Sequence, residues 1–123
     1  MITHIDTAGI NFELSDDIKK YIVKKLGRLD KYIPRHARES VRLEVKLRET
    51  NNRLGNKYEC EGILHLPSAP LQAKESTLNM FAAVDIVEAK LKNQLVKYKS
   101  AHIMHLREKH PGVFGRIRVR LMQ

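Results

Sequence analysis

Cysteine, tryptophan, glycine and proline are scarce in this chain of 123 residues, which has one, none, six and four of them respectively. A single cysteine, Cys60, closes no internal disulfide and suits a reducing compartment. The glycines are scattered, so no glycine-rich loop is built to cradle phosphates. Four tyrosines and three phenylalanines are too few for a platform on which successive bases of a single strand would stack. No stretch approaches the roughly 18–20 consecutive apolar residues of a membrane-spanning helix. The opening Met1-Ile2-Thr3-His4-Ile5-Asp6 lacks the charged-then-apolar layout of a secretory signal, so a cytoplasmic location is expected and a membrane is not. Paired carboxylates occur only as Asp16-Asp17, where a helix start explains them, and as Glu59 and Glu61 on one strand face. An enzyme, a cofactor and a small-molecule substrate are accordingly not expected.

What is abundant is positive charge on a foldable chain. Hydrophobic residues make up 42%, enough for one core, and 23 Lys and Arg against 14 Asp and Glu leave +9. Residues 1–14, 15–33, 34–75, 76–99 and 100–123 carry −2, +3, +2, +2 and +4, so the excess is spread over several elements. A folded surface of that balance attracts polyanions, although such charge also serves solubility alone.

Ile2 to Thr7 reads as a first strand closed by Ala8-Gly9. Ser15 is a good N-cap, with Asp16 and Asp17 in the first turn, where the helix dipole favours carboxylates. Ile18, Tyr21, Ile22, Leu26, Leu29, Tyr32 and Ile33 then recur at helical spacing as far as Pro34. Lys20, Lys24, Arg28 and Lys31 gather opposite that stripe, whereas Lys25 projects close to it and must snorkel or reach a partner. Val41, Leu43, Val45 and Leu47 alternate with Arg42, Glu44, Lys46 and Arg48, the pattern of a half-buried strand. A turn over 51–56 leads to a second strand marked by Tyr58, Cys60, Leu64 and Leu66, with Gly62 a candidate bulge. A third runs from Leu71 to Glu75, completing an antiparallel meander. A second long helix covers 77–99, with Met80, Phe81, Val84, Val87, Leu91, Leu95 and Tyr98 on its buried face. Lys90 and Lys97 share one of its ridges, and Lys92 and Lys99 share another. The expected fold is α+β, a two-layer sandwich of order β-α-β-β-β-α, with both helices on one face of a four-stranded sheet. It spans 1–100, followed by a basic tail, 101–123, in which Arg116 to Leu121 alternates like a strand.

Among the candidate chemistries, Cys60 reads as a buried structural thiol. His102, His105 and His110 have a spacing that could hold a metal, but Glu108 is the only nearby residue to complete the set, and no metal site is expected. His4, His36 and His65 are dispersed. Lysines on two helices over one sheet face suit phosphates, positioning cations without reading bases. The plain alternative is that they solvate the backs of the helices.

Two segments resemble a known family. Gly9-Ile10-Asn11-Phe12-Glu13-Leu14-Ser15 through Leu29-Asp30-Lys31-Tyr32 looks like the opening of the ribosome hibernation-promoting factor and ribosome-associated translation inhibitor family. Asn79-Met80-Phe81-Ala82-Ala83-Val84-Asp85, with Lys90-Leu91 and Gln94-Leu95-Val96-Lys97-Tyr98-Lys99, resembles its second-helix signature. The resemblance covers roughly residues 1–100 and implies the same fold. It implies binding to the small ribosomal subunit and its rRNA between head and body, in competition with mRNA and with A- and P-site tRNA. Idle ribosomes would then be held inactive by occupancy, with no reaction catalysed. It assigns the RNA contacts to Lys19, Lys25 and Arg28 on the first helix and Lys90, Lys97 and Lys99 on the second. Lys20, Lys24, Lys31 and Lys92 are further candidates, and Asn93 stands where relatives often carry a basic residue. Long family members add a second domain, for which 123 residues leave no room, so a short form or the front of a longer chain is expected. Outside the family, the residues also admit a generic double-stranded-RNA module, or a module whose helices bind an acidic protein.

Overall fold

The computed structural model describes residues 2–50, 55, 57–67 and 69–109, with backbone alone for 101–109. Its elements run β1 (Ile5–Ile10), α1 (Asp16–Leu26), β2 (Arg42–Glu49), β3 (Tyr58–His65), β4 (Pro70–Thr77) and α2 (Met80–Lys109). The strands form one sheet of order β1-β2-β3-β4. β1 lies parallel to β2, as a strand returning through a helical crossover must, and β2, β3 and β4 form the expected antiparallel meander. Leu43, Val45 and Leu47 of β2 and Cys60 and Leu64 of β3 point into a single core with Ile18, Ile22 and Leu26 of α1 and Val84, Val87, Leu91 and Leu95 of α2. This is the two-layer α+β sandwich that the alternation and the two periodic stripes imply.

The departures from the sequence reading have local causes. β1 runs on through Ala8 and Gly9 instead of ending there. A Cβ on Gly9 would collide with the carbonyl oxygen of Phe12, because the chain doubles back at once through Asn11 at φ 53°. α1 stops at Leu26, and Gly27–Tyr32 continues as a 3₁₀ helix. The carbonyl of the buried Gly27 accepts from the backbone N–H of Ile2, and the tighter winding still buries Leu29 and Ile33. Gly62 is no bulge, since β3 pairs without interruption on both sides. It is where α2 lies closest to the sheet: a Cβ there would stand 3.0 Å from Val87 Cγ1 and 3.1 Å from Leu91 Cδ1.

Asn79 caps α2, its Oδ1 accepting from the Phe81 N–H at 2.8 Å. The helix carries on through 100–109, past the end of its apolar stripe, because nothing there breaks it before Pro111. At about 1.5 Å per residue its length approaches ~45 Å, well beyond the ~26 Å of an eight-residue strand. The strand-like alternation at 116–121 lies outside the described residues, as does most of the turn at 51–56.

Candidate nucleic-acid interface

The two helices lie side by side and in the same direction, and the seam between them is a ladder. On the α1 side stand Tyr21, Lys25 and Arg28, with Tyr32 in the following 3₁₀ turn, spaced by four, three and four residues. On α2 stand Phe81, Asp85, Glu88 and Lys92, with the same spacing. Such spacing keeps each set on one ridge. The first rung is Tyr21 edge-on to Phe81, with ring centroids 5.0 Å apart. The second is Asp85, whose Oδ1 accepts from the Tyr21 hydroxyl at 2.5 Å and lies 3.8 Å from Lys25 Nζ. At the fourth, Lys92 Nζ sits 5.2 Å from the centroid of the Tyr32 ring, and Lys31 Nζ stands at the same distance. At the third, Arg28 and Glu88 do not pair. A groove of about 220 Å³ opens there, lined by Lys25, Arg28, Lys31, Lys92, Glu88 and Tyr32, with Leu29 beneath.

The ladder corrects two expectations. Phe81, read as core, is 40% exposed and belongs to the seam. Lys25, which the apolar stripe left in need of an anion, has one inside the protein in Asp85. That same carboxylate holds the Tyr21 proton, pushing its hydroxyl up to about 12. In the folded state the proton is held more tightly, so this contribution to stability is full below pH 10 and fades as pH rises towards 12.

The other candidate cations fall into separate groups. Lys19, Lys20 and Lys24 surround the exposed Val23 on the outer face of α1, and Arg28 joins that face to the groove. Arg28 Nε donates to the Lys24 carbonyl at 2.9 Å, which fixes the guanidinium at the junction. Lys99 follows Lys92 by seven residues on the seam side of α2 and is exposed. Lys97 is also exposed, seven residues beyond Lys90 on a different ridge. Lys90 stands apart, over β4. Its Nζ lies 2.6 Å from Glu75 Oε2, holding that carboxyl below its ordinary range, and donates to the Lys74 carbonyl at 3.1 Å. Gln94 Nε2 caps the Gln72 carbonyl in the same way, at 2.8 Å, so both side chains cover the edge of β4.

The outer face of the sheet is charged, and most of its cations are matched by carboxylates on the same face. Arg48 and Lys74 flank Glu59 at 3.2 and 3.7 Å, and Arg42 and His65 both lie 3.1 Å from Glu44. Among the described residues, cations without an ion pair are therefore most numerous on the helical face. Cys60 is fully buried, and burial pushes its thiol up to about 12. A thiol reagent at pH 8 is expected to leave the native protein untouched and to titrate one thiol once it is unfolded. Rapid labelling of the native protein would contradict that burial. Among the described residues no three His, Cys, Asp or Glu side chains converge on a metal-sized site, and no helix is long and apolar enough to cross a membrane. The side chains of His102, His105 and His110 lie outside the described residues.

Residues 5–102 match the family model described as Sigma 54 modulation protein / S30EA ribosomal protein. A ribosome hibernation promotion factor of Deinococcus radiodurans is 31% identical over 104 residues, which are 85% of this chain and 53% of that protein. A ribosome hibernation promoting factor of Azotobacter vinelandii is 25% identical over 108 residues, 88% of this chain and 94% of that one. The chain thus spans about half the length of several curated relatives that it matches, the Deinococcus protein among them. The crystal structure of the Thermus thermophilus Protein Y N-terminal domain superposes with a TM-score of 0.65 at 28% identity, covering 80% of this chain and 99% of that one.

Proposed function

Because the chain belongs to the Sigma 54 modulation protein / S30EA ribosomal protein family, we propose that it binds the small ribosomal subunit through the α1–α2 face and silences idle ribosomes by occupancy. On this reading the helical face lies against rRNA in the channel between head and body. There it excludes mRNA and the A- and P-site tRNAs, and no bond is made or broken. Lys19, Lys20, Lys24, Lys25, Arg28, Lys31, Lys92, Lys97 and Lys99 supply the phosphate contacts. Lys90, drawn to Glu75 and the β4 edge, is the weakest member of the set.

The observation that carries the reading is the groove at the third rung, where Lys25, Arg28, Lys31 and Lys92 converge and only Lys25 has an ion pair among the described residues. Cations gathered in this way repel one another unless an anion enters, and a ribose-phosphate backbone supplies one. The neutralised sheet face offers no comparable attraction.

Sedimentation with purified small and large subunits on sucrose gradients tests the proposal. Co-migration with the small subunit alone is expected, weakening with salt at a log–log slope on the order of −4 to −5 for about six phosphate contacts. Equal affinity for any long RNA duplex would favour the generic double-stranded-RNA module. A protein that stays at the top of the gradient at low salt would overturn the proposal and bring the acidic-partner reading forward.

A further inference from the structure

The open rung places a carboxylate where an anion-binding groove would least need one. Asp85, one turn earlier on the ridge, is occupied by Tyr21 and Lys25. Glu88 lines the groove among four cations, and among the described residues it makes neither a hydrogen bond nor an ion pair. Its partner across the seam, Arg28, turns its Nε to the Lys24 carbonyl instead. Lys92, four residues on and well placed for a helix-surface pair, lies over Tyr32. A free carboxylate here weakens attraction for any phosphate, and an ionised carboxylate can only accept hydrogen bonds. The groove therefore combines cationic donors with one carboxylate acceptor beside the Tyr32 hydroxyl, a pattern complementary to a phosphate with a hydroxyl next to it.

We infer that Glu88 accepts a hydrogen bond from a ribose 2′-hydroxyl while Arg28, Lys31 and Lys92 hold the neighbouring phosphate, which makes the third rung a reader of RNA as distinct from other polyanions. The 2′-hydroxyl is the donor that RNA presents and DNA lacks. The inference rests on the reading of the helical face as an RNA interface and adds a specificity-determining residue to it.

The test compares binding of an RNA duplex and of the same duplex with 2′-fluoro sugars, which keeps the helix geometry and removes the donor. Wild type is expected to prefer the hydroxyl form by about tenfold, the scale of a hydrogen bond to a charged group. Glu88→Gln keeps an acceptor without the charge and is expected to retain a several-fold preference while binding both duplexes more tightly. Glu88→Ala is expected to bind both equally. A preference in Glu88→Ala within twofold of wild type would overturn the inference, as would wild type binding both duplexes alike. Wild type that binds small subunits but neither duplex at low salt would overturn the inference, and wild type that binds none of the three would bring down the RNA interface itself. Wild type that binds RNA with a preference indifferent to residue 88 removes Glu88 alone.

Discussion

Replacing Arg28, Lys31 and Lys92 together with alanine is expected to weaken binding to the small subunit by on the order of 10²–10³ at about 0.1 M salt. Each phosphate contact contributes roughly 0.7–0.9 to the log–log salt slope, so the slope should flatten by about 2–3 as well. The three side chains are chosen because they share one groove and have no ion pair among the described residues, so removing them breaks none. Their loss costs the fold little. Lys31 and Lys92 each give up a contact over the Tyr32 ring that is worth about 0.5–1 kcal/mol where exposed. A triple variant that melts within a few degrees of wild type and fails to bind is the expected result. Unchanged affinity at every salt concentration would remove the groove from the interface. The triple change Arg42, Lys46 and Lys74 to alanine on the sheet face is the natural control: Arg42 and Lys74 are matched there by Glu44 and Glu59.

Leu91→Ala is expected to have the largest effect on stability. Leu91 is fully buried where α2 meets Gly62, so removing its side chain opens a cavity between helix and sheet. A cost of about 2–5 kcal/mol follows from the lost transfer energy and the residual cavity. Against the ~5–15 kcal/mol typical of a whole domain, that is a large share. Urea unfolding measures it as a fall in midpoint at unchanged slope. Because α2 supplies one side of every rung, RNA binding should fall in step with the folded fraction and recover when the temperature is lowered. Loss of binding by a fully folded Leu91→Ala protein would mean that the seam is more delicately placed than packing alone requires.

The order of elements was legible because the signals for it are local. Strict alternation from Val41 to Arg48, a capped stripe after Ser15 and a second stripe from Met80 leave little choice of layers. What escaped depends on where two distant segments meet. Gly9 and Gly62 look alike in sequence, yet one answers a chain reversal at Asn11 and the other the approach of α2. The end of α2 was placed too early because periodicity reports burial, whereas propensity decides where a helix stops. The basic candidates were likewise visible as types and positions. Their grouping was not, since pairing Tyr21 with Phe81, Lys25 with Asp85 and Tyr32 with Lys92 requires the register of one helix against the other. Matched spacings of four, three and four in the two helices are in the sequence, but nothing local aligns them. Asp85 and Glu88 were therefore missed, and with them the reason why Lys25 can lie beside the core.

If the helical face occupies the path of tRNA and mRNA on the small subunit, the protein and P-site tRNA exclude one another there, and competition reveals it. The protein is bound to purified small subunits at low salt, and P-site tRNA with a short mRNA is titrated in before sedimentation. Displacement of the protein in proportion to tRNA bound, with the reverse displacement of tRNA by excess protein, is the predicted result. Small subunits that carry the protein and P-site tRNA together, each at full occupancy, would contradict it.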